Sequence, residues 1–197
     1  GVFSGGVAAA LAGLIWLYNG VTKRSAVWGP LNMGACRGAS LLLGGSLAGF
    51  AEWRAHLDLP AAAIGYTLLV AAITRLARDE NRLAHAGPRR WGPGLLTALW
   101  LGGLAWRLGR WENFGIASGW ILAVAASVWM LSVGWALPAT GARPDQTRQA
   151  IGQWISGFLL GQAALCALSG YPSRGPAMVL LAAFPLYGWI GRRFRGS

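Results

Sequence analysis

The sequence predicts an all-α fold, a polytopic bundle of membrane-spanning helices, and three observations carry that prediction. Of 197 residues, 55% are hydrophobic and only 12% are charged, about half the charged share usual in a soluble domain. Apolar runs of roughly 20 residues recur along the chain, the length a helix needs to cross ~30 Å of hydrocarbon. No period-two alternation competes with them, so a barrel of strands is not indicated.

Seven runs follow in order: 1–18, 31–51, 60–77, 93–109, 114–138, 150–169 and 175–191. The first closes on Tyr18, Asn19 and Lys23. The second opens at Gly29-Pro30, a stop followed by a residue pre-organised for a helix N-terminus. The third runs out into "TRLARDE", and the seventh ends at Arg192 and Arg193. The chain starts as G-V-F-S-G-G, already inside an apolar run, with no Met, basic n-region or cleavage site. The expectation is one integral-membrane domain over 1–197 from which upstream helices are missing.

The formal net charge is +11, and its distribution reads as orientation. Lys23, Arg24, Arg75, Arg78, Arg82, Arg89, Arg90, Arg143, Arg148, Arg192, Arg193 and Arg195 fall on one side of the bundle. Arg54, Arg107, Arg110 and Arg174 fall on the other, and Arg37 lies inside a run. That asymmetry is the positive-inside signature, which places the loop after residue 18 and the C-terminus in the cytoplasm. Nucleic acid is not the partner implied; the lipid bilayer is, with anionic headgroups attracted to the basic side. Tryptophans such as Trp16, Trp28, Trp91 and Trp189 stand near run ends, where interfacial belts form. Cys36 and Cys166 fall in apolar runs and read as packing residues, while His56 and His85 have no second ligand at useful spacing.

Two segments hold the chemistry. In "GPLNMGACRG", Arg37 lies about 10 Å into its helix at 1.5 Å per residue. Gly34, Ser40 and Gly44 lie at i−3, i+3 and i+7, a small-residue face along which another helix can approach. Arg37 is therefore expected to point into the bundle as a functional cation; the plain alternative is a side chain snorkelling to the headgroups. In "AAITRLARDENRLAHAGPRR", Arg75, Arg78, Asp79 and Arg82 form one helical stripe. The stripe reads either as an exposed helix end with an Arg75–Asp79 pair worth a few tenths of a kcal/mol, or as a lining that holds phosphate. Lys23, Arg37 and Arg78 are expected to converge around one anion, with Arg37 deepest.

A Tyr–Lys loop closing a helix, then G-P-L-N-M-G-x-x-R, then a helix ending T-R-L-A-R-D-E, resembles the UbiA superfamily of intramembrane prenyltransferases, nearest its UbiA-like EboC branch. The resemblance spans most of the chain and is specific over 18–44 and 66–82. It implies a helical bundle that transfers a polyprenyl group from its diphosphate to an acceptor, often aromatic, in a multi-pass protein of a bacterial inner membrane. It further implies that Tyr18, Lys23, Asn32, Arg37, Arg75 and Arg78 face the diphosphate, and that Asp79 and Glu80 hold Mg²⁺. The sequence departs from the family in two places. No N-D-x-x-D occurs, and Arg75 stands where the second acidic motif carries a carboxylate. The chain as it stands is therefore expected not to be catalytic. A polyprenyl or lipid binder without catalysis is the main alternative, and a small transporter a further one, weakened by the lack of an internal repeat.

Overall fold

A computed structural model of the chain describes residues 2–46, 58–78, 91–108, 120–121, 124–129, 132, 144–168 and 174–194. Among the described residues all regular structure is helical, as the hydropathy pattern requires. The helices are α1 (Val2–Gly20), a 3₁₀ turn (Thr22–Arg24), α2 (Trp28–Gly45), α3 (Asp58–Arg78), α4 (Gly92–Leu108), α5 (Pro144–Leu168) and α6 (Arg174–Phe194). Residues 124–129, within the fifth apolar run, are helical as well. Two of these helices, Val2–Gly20 and Leu59–Arg78, are long and apolar enough to cross a membrane. The chain divides into two compact units, Gly1–Trp100 and Leu101–Ser197.

In the first unit α1, α2, α3 and the start of α4, as far as Trp100, run alternately up and down. Ser4 donates to the Ser46 carbonyl (3.0 Å) at one end of the α1–α2 hairpin. Thr22 and Asn32 meet at the other end (2.9 Å). The α2–α3 contact is closer. A Cβ on Gly34 would strike the Thr67 carbonyl oxygen, and one on Gly38 would strike Thr67 Oγ1 and lie 2.7 Å from the Ala63 carbonyl. One on Gly45 would meet Leu59. At Gly34 and Gly38 main-chain atoms leave room for hydrogen only, so the two backbones touch through a Gly-x-x-x-Gly step, while at Gly45 the Leu59 side chain closes in.

The buried face of α3 follows helical spacing: Ala62, Ala63, Tyr66, Leu69, Val70, Ile73 and Leu76 point inward. Ile64 and Leu68 on its outer side are apolar yet exposed. α4 packs on α3 through Trp100, whose ring meets Tyr66 edge-on at 5.3 Å and covers Gly65. Unlike its neighbours, α1 has no buried residue over its 19 positions.

In the second unit α5 and α6 pack together. The inward face of α5 carries Thr147, Ala150, Ile151, Trp154, Leu160 and Ala164. The Trp129 indole lies over Gly157, where a Cβ would be 2.7 Å from its nitrogen. α5 begins at Pro144, several residues ahead of the apolar run expected from 150, because Pro144-Asp145 is itself a helix-start signal.

Candidate functional site: a groove between the first two helices

The turn between α1 and α2 is built first. Val21 N–H donates to the Leu17 carbonyl (3.0 Å), which carries α1 to its end, and Ser25 N–H donates to Thr22 (2.9 Å) to close the 3₁₀ turn. The Ser25 hydroxyl accepts from Trp28 N–H (3.1 Å), pairing a donor of the first turn of α2. Pro30 sits in that turn, where its missing N–H leaves nothing unpaired.

Asn32 joins the two helices. Its side chain is buried. With the amide nitrogen turned to the Leu14 carbonyl (3.2 Å), the oxygen accepts from Tyr18 N–H (3.0 Å) and from the Thr22 hydroxyl (2.9 Å). The reverse orientation sets like against like, so this one is preferred. Asn32, expected on the diphosphate side, is held here by α1 itself and positions the Tyr18 main chain.

Arg78 is engaged in a similar way. Its guanidinium donates to the Ser25 carbonyl and to the Lys23 carbonyl (2.7 Å), tying the end of α3 to the 3₁₀ turn. A Cβ on Gly29 would lie 2.7 Å from the same guanidinium, so the glycine leaves room for the clamp. The expected convergence of Lys23, Arg37 and Arg78 on one anion is therefore corrected. Arg78 serves backbone carbonyls, and what it holds of Lys23 is the main chain.

Arg37 differs from expectation too. The face in close contact is Gly34, Gly38 and Gly45, while Ser40 and Gly44 are exposed. Arg37 lies on the flank of that face and is exposed. It borders a groove between α1 and α2 of about 270 Å³, lined by Leu11, Ile15 and Tyr18 from α1 and by Met33, Cys36, Arg37 and Ser40 from α2. Of the residues expected at the site, the structure brings Tyr18 and Arg37 together here. Lys23 and Arg75 are exposed and are not among the lining residues.

The lining is mainly aliphatic, with one guanidinium, one phenol and one hydroxyl. It suits an amphiphile with an apolar chain and an anionic head, since guanidinium N–H groups match phosphate oxygens in pairs. Cys36 and Cys166 are both free thiols and half-buried.

Asp79 and Glu80 lie outside the described residues. Among the described residues no three His, Cys, Asp or Glu side chains come together, and Arg75 occupies the stripe position four residues before Asp79. Mg²⁺ requires several oxygens from separate directions, and Asp79 and Glu80, expected to hold it, are not among the described residues. No family model, curated protein or solved structure matches the chain.

Proposed function

We propose that this chain belongs to a polytopic membrane protein of the UbiA type, in which the α1–α2 groove receives a polyprenyl diphosphate. The setting proposed is a bacterial inner membrane, with the 3₁₀ turn on the cytoplasmic side. The observation that carries the reading is Arg37 on the wall of a groove whose other residues are largely apolar. Its guanidinium would hold the diphosphate, Tyr18 would donate to it, and Leu11, Ile15 and Met33 would flank the first part of the tail. The groove volume of about 270 Å³ is below that of a pocket enclosing a drug-sized ligand. The rest of a long tail would lie along the exposed apolar side of α1.

For transfer, the allylic C–O bond breaks, the carbon joins an acceptor that gives up a proton, and diphosphate leaves. A cation at the departing oxygens stabilises the charge that develops there. A second reading is binding of a polyprenyl lipid without transfer. It is favoured by Arg75, a cation where the family's second acidic motif has a carboxylate.

Equilibrium binding of a polyprenyl diphosphate to the full chain in neutral detergent tests the site. Arg37→Ala should weaken binding about 10- to 100-fold, the loss of a charge-assisted contact of roughly 1.5–3 kcal/mol. Arg24→Ala removes only a turn charge and should change it little. Arg37→Lys should recover part of the loss, because an ammonium lacks the paired donors. Equal, small losses for Arg37→Ala and Arg24→Ala would remove the groove as the binding site.

A further inference from the structure

The end of the first unit at which α1 turns into α2 carries charge that the groove does not use. Lys23 and Arg24 belong to the 3₁₀ turn, and Arg75 lies in the last turn of α3; all three are exposed. Trp28 opens α2 at this end and is 66% exposed. Trp91, 53% exposed, stands just before α4. It lies at the same level, because a Cβ on Gly92 would touch the Ala72 methyl at 3.8 Å. Val21 and Val27 beside the turn are exposed as well. The sequence that follows α3 carries Arg82, Arg89 and Arg90 against Asp79 and Glu80, a net positive charge.

Arg78 gives the arrangement its order. By donating to the Lys23 and Ser25 carbonyls it fixes the turn's main chain, while the Lys23 and Arg24 side chains stay free to solvent. A surface with cations in one layer and indoles at the same level matches an anionic leaflet: phosphates meet the charges, and tryptophans settle at headgroup depth.

We infer that Lys23, Arg24 and Arg75, framed by Trp28 and Trp91, form a docking surface for the phosphate headgroups of anionic phospholipids, with Arg78 as the residue that positions the turn. The inference rests on the membrane reading proposed above and is independent of the ligand in the groove. Two measurements on the full chain test it. In the first, the chain is mixed with vesicles of phosphatidylcholine and floated on a gradient. In the second, the detergent-solubilised chain is offered equal amounts of phosphatidylglycerol and phosphatidylcholine with matched acyl chains, and the lipids retained are counted by native mass spectrometry.

Phosphatidylglycerol should be retained in excess. Lys23→Gln, Arg24→Gln and Arg75→Gln should each lower that excess about fivefold, as expected for one surface charge. Arg78→Lys keeps the charge but lacks the rigid guanidinium fork that donates to both carbonyls, so it should lower the excess too. Arg174→Gln, a charge at the start of α6 that the sequence assigns to the opposite side of the membrane, should not. Equal retention of the two lipids, or an equal fall for Arg174→Gln and Arg24→Gln, overturns the docking surface alone. A chain that does not float with the vesicles overturns the membrane reading, and the docking surface with it.

Discussion

Gly34→Ala should destabilise the fold by about 1–3 kcal/mol, the usual result of forcing a methylene into a filled contact. Gly38→Leu should do so by more. The atoms that an added Cβ would meet at Gly34 are the Thr67 carbonyl and the Ala71 nitrogen, all of them main chain. A side chain could swing aside; a helix backbone cannot move without separating α2 from α3. Gly13 on α1 supplies the contrast, because a Cβ there meets nothing within 4 Å. Gly13→Ala should therefore stabilise by roughly 0.5–1 kcal/mol, through helix propensity alone. Denaturant unfolding in detergent, followed by circular dichroism, reads both. A shift of the same sign for Gly34→Ala and Gly13→Ala would contradict the close α2–α3 contact.

Asn32→Asp should be more damaging than Asn32→Ala. Alanine removes the link between the helices and leaves Thr22 and the Leu14–Tyr18 pair to find other partners, a loss of about 1–3 kcal/mol. Aspartate keeps the size but has no donor for the Leu14 carbonyl, and it brings a carboxylate into a buried position. The same unfolding measurement ranks the two variants. If aspartate proved as stable as the wild type, Asn32 would have to be an anion-side or solvent-facing residue, not the junction of α1 and α2.

These two residues also show what sequence reasoning reaches. The apolar runs at 1–18, 60–77 and 93–109 correspond to α1, α3 and α4 within a few residues, because length and hydrophobicity are local properties. Gly34 was legible as part of a close-packing face. The rest of that face was not: spacing from Arg37 picks out Ser40 and Gly44, whereas α3 approaches α2 at Gly38 and Gly45. Arg78 illustrates the same limit. Its partners, the Lys23 and Ser25 carbonyls, lie more than fifty residues away along the chain, and nothing in a stripe of arginines says that one is taken by main chain. Asn32 stands out in the sequence through a family resemblance, and its burial against α1 is a tertiary fact. A signal for it did exist: a lone amide at the start of an apolar helix, next to a tight turn, commonly serves unpaired backbone groups.

Cys36 offers the most direct test of the groove, since it lines the wall beside Arg37 and is half-buried. Cys166 is the sole other cysteine, so Cys166→Ser leaves a single thiol to report. The rate of maleimide labelling at Cys36 is measured with a polyprenyl diphosphate, with inorganic diphosphate, and with neither. The polyprenyl diphosphate should slow labelling several-fold, inorganic diphosphate should slow it little, and Arg37→Ala should abolish the protection. A labelling rate that is the same with and without the polyprenyl diphosphate would contradict the groove as its binding site.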